Sequence, residues 1–206
     1  MAEEEALGLR ERKKLDTRRA LSDAALTLAF ESGLENVTRD GIAARAGVSV
    51  RTFNNYFTGK YDAIAYRQLE RFRLGLAVLR ERPADEPLWD SIAAALVRPL
   101  EIENRATTAP EPAHLIEVRK LFASPEIRAI IARNNIADWA TAIAERTGID
   151  PLRDPYPHLV AGVINAVVES SSLAYAHADP PEPVAALLHR TLAQVTAGLP
   201  PPPRSN

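Results

Sequence analysis

AGVSVRTFNNYFTGK, residues 46–60, places two aromatics four apart, Phe53 and Phe57, among side chains that can all hydrogen-bond. Gly47 can take a positive φ, Ser49 can cap a helix, and the Thr58-Gly59 pair can break one. The spacing predicts a short helix up to Phe57 that buries one narrow face and offers Arg51, Thr52, Asn54 and Asn55 on the other. Upstream, Thr38 reads as an N-cap, with Asp40 in the first turn of a helix over 39–46 that buries Ile42, Ala43 and Ala46. Two short helices joined by a Gly-containing turn make a helix-turn-helix. Phe53 and Phe57 are expected to pack against Phe30, Ile42 and Val48.

Before this motif, residues 15–32 repeat apolar positions at helical spacing: Leu21, Ala24, Ala25, Leu28 and Ala29, extended by Leu15 and Phe30. Gly33 is the stop signal. After the motif, the pattern predicts helices over about 60–82, 88–105, 112–122, 125–146, 156–177 and 182–197. In the second of these, Leu88, Ile92, Leu96 and Leu100 recur in steps of four, and Pro99 suggests a kink. "TTAPEP" and "DPPEP" are breaks, and the tail "PPPPRSN" is expected to be extended and mobile. No strand pattern and no internal repeat occurs. The expected fold is all-α, with about nine helices. A helix-turn-helix domain spans 10–60, a helical domain spans 61–199, and 200–206 form a disordered tail.

The chain has 206 residues and no cysteine, which excludes disulfides, thiolate metal sites and cysteine nucleophiles. No apolar run comes near the ~18 residues of a membrane span, so no transmembrane helix is expected, and the charged N-terminus lacks a secretory pattern. The expected location is the cytoplasm, with no membrane partner. Net charge is −2, but residues 10–60 hold ten Lys and Arg against six acids, a local +4 that leaves −6 for the rest. This asymmetry points to an N-terminal module that meets an anion. Double-stranded DNA fits: the exposed face of the second short helix can reach base edges and phosphates. Arg18 and Arg19 begin the first helix of this module and are candidate DNA contacts, and the run "RERKK" is either a further contact or a solvated helix start.

Residues 15–62 resemble the DNA-binding domain of the TetR family of bacterial transcriptional regulators, on "ALTLAFESGLENVT" and "IAARAGVSVRTFNNYFTGKYDA". The resemblance implies a homodimer on a pseudo-palindromic operator, most often a repressor released by a small molecule. By position it implies that Arg51 and Thr52 face bases or phosphates and that Asn54 and Asn55 contact DNA. It also implies that Tyr56 bonds a phosphate, that Lys60 meets one at a helix start, and that Thr38 touches the backbone besides capping. Asn54 stands where the family more often has an aromatic.

In the second domain, Trp89, Leu96, Leu100, Leu115, Val118, Phe122, Ile127, Ile131, Trp139 and Ile143 can line one interior, either as packed core or as the wall of a pocket. Gly162, Asn165, Glu169 and Ser172 form a polar stripe that is a solvated face, a subunit contact or a set of pocket anchors; Asn134 and His114 are further candidates for the pocket. "PAHLIEVRKL" and "LFASPEIRAIIARNN" are similar to the mycofactocin-type regulators, which implies an acyl-CoA-like ligand, with Arg119, Lys120 and Arg128 available to a charged head group. The expected effector is therefore largely apolar. The helices at 156–177 and 182–197 are expected to form a four-helix dimer contact through Val160, Ile164, Val168, Leu187, Leu188 and Leu192. The four histidines form no metal or catalytic pattern, so neither an enzyme nor a cofactor is expected. The alternatives are an enzyme, or a protein-binding adaptor, that uses the three-helix domain structurally.

Overall fold

Both helices of the motif start at a local cap. Thr38 accepts a hydrogen bond from Gly41 N, and Ser49 accepts one from Thr52 N at 3.0 Å. These caps satisfy backbone donors that a helix start otherwise leaves open. The computed structural model describes residues 2–103, 115–180 and 182–200. Among them are nine α-helices, one 3₁₀ turn and no strand. The helices are α1 (Ala2–Ser32), α2 (Arg39–Arg45), α3 (Val50–Tyr56), α4 (Lys60–Glu81), α5 (Leu88–Ile102), α6 (Leu115–Ala123), α7 (Pro125–Thr147), α8 (Tyr156–His177) and α9 (Val184–Thr196), with the 3₁₀ turn at Leu34–Asn36. The chain forms two compact units, Met1–Leu69 with Ser124–Ile131, and Glu70–Ala123 with Ala132–Asn206. The start of α4 thus belongs to the first unit rather than to the second domain expected from residue 61.

In the first unit, α1 runs back through the basic segment instead of starting near residue 15. Leu21, Ala24, Ala25 and Ala29 are buried as expected, but Leu15 is 44% exposed, because the helix there extends past the elements it packs on. Ser22 Oγ donates to Ala63 O at 2.6 Å and ties α1 to α4. Arg45 holds Glu31 with two hydrogen bonds, fastening α2 to α1; the hydrogen bond from Arg45 keeps the Glu31 carboxyl below its ordinary range.

In the second unit, α4 and α5 cross closely at Gly75. A Cβ there would meet Ala95 O at 2.6 Å, so any larger residue would push two backbones apart. Phe72 meets Trp139 edge-on, with ring centroids 6.5 Å apart. α5 continues through Pro99, which is buried along with Ile92, Leu96 and Leu100. α8 packs on α6 and on α9, and α9 also packs on α5. The "TTAPEP" break, His114 and residues 201–206 lie outside the described residues.

The expected dimer residues are placed differently. Val160, Ile164, Leu187, Leu188 and Leu192 are buried within the chain, and Val168 is half-buried. What α8 leaves outward is another stripe: Leu159, Gly162, Val163, Ala166 and Leu173, with Leu159 63% exposed. A Cβ on Gly162 would meet nothing within 4 Å. Against the expectation that no segment comes near a membrane span, α8 is long and apolar enough to cross one by length and composition, and 33% of that window is buried within the chain.

The loop between α4 and α5 is gathered by one side chain. The Arg146 guanidinium donates to Arg82 O, Pro83 O, Glu86 O and Ser91 Oγ, at 2.6 to 3.2 Å. Glu86 in turn accepts from Arg82 and Ser91; these bonds, Arg82 first, hold its carboxyl down at about 2 against an ordinary 4.5. Arg146→Ala should therefore cost about 1.5–3 kcal/mol, measured by thermal or urea unfolding. A depressed carboxylate stabilises above its unfolded pKa and loses that contribution as pH falls through its folded one. Glu86→Gln should thus lower stability at neutral pH and flatten the fall in stability between pH 4.5 and about 2.

Candidate functional site

α2 and α3 are joined by a turn in which Gly47 takes φ 68°, while Gly47 N and Val48 N donate back to Ala44 O and Ala43 O. A side chain at Gly47 would be strained in that left-handed conformation. α3 is seven residues long and has one inward face. Phe53 and Phe57 are buried, with ring centroids 5.9 Å apart, and Phe57 meets Tyr66 of α4 edge-on at 5.7 Å. Ile42 is buried nearby in the motif, while Phe30 and Val48 are only half-buried. On the other side Arg51, Asn54 and Asn55 are exposed, and Thr52 and Tyr56 are half-buried. Thr38 is exposed at the start of α2, so its hydroxyl sits at the surface while it caps.

Two of the expected DNA contacts turn inward. Arg18 donates to Tyr56 O at 3.2 Å and stacks its guanidinium over the rings of Phe57 (5.5 Å) and Tyr66 (5.3 Å). It shares the inward stripe of α1 with Leu21 and Ala25, so its long side chain reaches the ring cluster and holds the end of α3. Lys60 donates to Leu34 O, which also accepts from Val37 N, and to Glu35 O, at 3.0 and 3.2 Å, and so braces the 3₁₀ turn. Arg19 remains exposed on α1. The fully outward cation of the recognition helix is Arg51.

The expected pocket residues divide by depth. Leu96, Leu100, Val118 and Trp139 are buried; Trp89, Leu115, Phe122 and Ile131 are half-buried, as are Asn165 and Glu169 on α8. Ile127 and Ile131 lie in the first unit and the others in the second. Asn134 is exposed; its neighbour Asn135 is the buried one. Asn135 occupies the stripe Ile127, Ile131, Asn135, Trp139, Ile143, and those steps of four were visible in the sequence. Among the described residues, Asn135 Nδ2 and Trp139 Nε1 are both buried without a hydrogen-bond partner. Arg119 donates to Ala176 O, and Lys120 pairs with Glu117, so these two cations are engaged within the unit. No group of three His, Asp or Glu among the described residues is placed to hold a metal ion.

A doubly capped helix-turn-helix, with a polar second helix held by a few aromatics, defines a DNA-binding transcriptional regulator. Residues 21–64 match the bacterial regulatory proteins of the tetR family, and residues 86–200 match the MftR C-terminal domain. The transcriptional regulator TcmR of Streptomyces glaucescens is 30% identical over 170 residues, covering 78% of this chain and 73% of TcmR. The chain belongs to the TetR family of transcriptional regulators. Solved structures show the same fold. FadR of Thermus thermophilus, a transcriptional repressor in complex with lauroyl-CoA, has TM-score 0.55 and 21% identity, covering 91% of this chain and 100% of that one. SmeT, repressor of the Stenotrophomonas maltophilia multidrug efflux pump SmeDEF, has TM-score 0.55 and 15% identity, covering 91% and 97%.

The geometry leaves Arg51 outward and engages Lys60 within the fold. Arg51→Ala should lower the preference for specific over random DNA by about 1–3 kcal/mol and leave the fold intact. Lys60→Met should lower thermal stability by about 1–3 kcal/mol, because the 3₁₀ turn loses the charged donor shared by two of its carbonyls. Binding and melting curves measured on the same two variants check this division.

Proposed function

We propose that the protein is a cytoplasmic homodimeric repressor, released from a pseudo-palindromic operator by a largely apolar effector that carries a hydrogen-bond acceptor. It needs no cofactor and catalyses no reaction. Arg19, Thr38, Arg51, Thr52, Asn54, Asn55 and Tyr56 form its DNA face. In a two-fold dimer two copies of α3 would enter successive major grooves ~34 Å apart.

The observation that carries the effector reading is the pair of buried donors, Asn135 Nδ2 and Trp139 Nε1, one turn apart on α7 and without acceptors. An unpaired buried donor costs about 1–3 kcal/mol. A ligand carbonyl or thioester between them would recover that cost, while the buried Leu96, Leu100 and Val118 supply apolar surface in the same unit for an acyl chain. An acyl-CoA or related lipid has this chemistry. The lauroyl-CoA seen in Thermus thermophilus FadR, which shares the fold, is a molecule of the same kind. Helix α4 is continuous through both compact units and offers a mechanical link from effector to α3. Effector releases DNA only by binding one state more tightly than the other, by ~5.5 kcal/mol for a full switch.

Trp89 and Trp139 are the two tryptophans, so effector entry near Trp139 reports itself in fluorescence. Titration with medium- and long-chain acyl-CoAs should change that signal and release DNA over one concentration range. Asn135→Leu should abolish both responses while keeping or raising the melting temperature, since it removes an unsatisfied amide. A variant that still responds would show that the amide is not an anchor.

The outward stripe of α8, centred on Gly162 and Ala166, supports pairing with a second α8 in a four-helix contact with α9. An apolar helix face needs cover, and Gly162 leaves room for a close approach. Leu159→Arg should give monomers by sedimentation and weaken operator binding, whereas Leu188→Arg should unfold the chain because Leu188 is buried in it.

A further inference from the structure

The basic segment ahead of the matched DNA-binding domain is part of α1. Arg10, Lys13, Lys14 and Thr17 fall at i, i+3, i+4 and i+7, the spacing of one helix face. Thr52, Asn55 and Tyr56 are spaced i, i+3 and i+4 on one face of α3. These two faces, with Leu9 and Glu11, line an open cleft of about 800 Å³. Among the described residues three cations line it against one carboxylate, and the ion pair of Lys14 with Glu11 is at 4.0 Å between two exposed side chains. Such a pair in water contributes little, so the cleft keeps a positive potential.

We propose that this cleft holds the sugar-phosphate backbone of DNA, and that it divides α3 between two tasks. Thr52, Asn55 and Tyr56 belong to the phosphate cleft, and Arg51 and Asn54, which do not line it, are left to read bases. This assignment rests on the proposal that α3 enters a major groove. Its chemistry is that of phosphate recognition. Arg10, Lys13, Lys14, the Asn55 amide and the Tyr56 hydroxyl are donors, which phosphate oxygens require. The Thr17 hydroxyl is committed to Lys13 O at 2.8 Å and supports the helix rather than the ligand. Because the cations sit on a helix continuous with the core of the first unit, they are held beside α3 before DNA arrives, and less ordering is needed on binding. An acidic protein surface would meet the same cations, but the cleft wall offers a single large aliphatic side chain, Leu9, as an apolar anchor.

The test uses the full chain with Arg10, Lys13 and Lys14 all changed to Gln, which keeps helix propensity and removes charge. Affinity is measured from about 50 to about 200 mM salt for a duplex selected by the protein from random-sequence DNA and for an unselected duplex. Neutralised phosphates contribute roughly 0.9 each to the slope of log K against log salt. The triple variant should lose about 2–3 units of slope and weaken on both duplexes by the same factor, leaving sequence preference unchanged. Arg51→Ala should do the reverse, reducing preference with a slope change of about one or less. A triple variant with the wild-type slope would overturn the cleft assignment, as would one that weakens only on the selected duplex. Unchanged DNA binding combined with lost binding to polyglutamate would assign the cations to an acidic protein and overturn it as well. If the wild-type chain binds neither duplex, the DNA-binding reading of α3 falls with it; if the wild type binds and only the slope prediction fails, that reading stands.

Discussion

The ring cluster of Phe53, Phe57 and Tyr66 under the Arg18 guanidinium is the contact on which the DNA face depends. A seven-residue helix is too short to be stable alone, so α3 exists because its two phenylalanines are buried and its ends are capped. Arg18 adds a cation over two ring faces and a hydrogen bond to the last carbonyl of α3. That arrangement has a cost of its own: among the described residues, Arg18 Nε is buried without a partner. By using so little of its surface for holding, α3 leaves the remainder to the solvent, and hence to DNA.

The second unit is governed by close approach and by polar atoms placed where apolar ones would pack more easily. Gly75 lets α4 and α5 come near enough for Trp139 to fill the space beside them, and the Arg146 cluster secures the loop that joins the two helices. Within this packing the unpaired Asn135 amide and Trp139 indole stand out. A unit selected for stability alone would place Leu or Phe at such positions. These are the two donors that the proposed effector would satisfy.

Helix α8 illustrates how composition and context divide the work. It is apolar enough for a membrane by composition, yet Asn165, Glu169 and Ser171 interrupt it and α6 and α9 cover part of it. Its outward stripe of small and aliphatic side chains is the face on which the proposed pairing with a second α8 rests.

The all-α class, the capped helix-turn-helix and most helix boundaries were legible in the sequence because they rest on local physics. Thr38 and Ser49 satisfy donors within three residues, Gly47 supplies a conformation others avoid, and steps of three and four mark a buried face whatever lies opposite. The family resemblance at residues 15–62 was carried by the same local features. Tertiary structure decided what a long side chain reaches. Arg18 and Arg19 are adjacent in sequence, yet one stacks on rings and the other faces out. Lys60 serves two carbonyls about 25 residues away, which no spacing rule anticipates. Likewise the choice between Asn134 and Asn135, or between Val160 and Leu159 as outward residues, turns on the rotation of a helix about its axis. That rotation is set by the neighbours packed against it, so it exists only in the assembled fold.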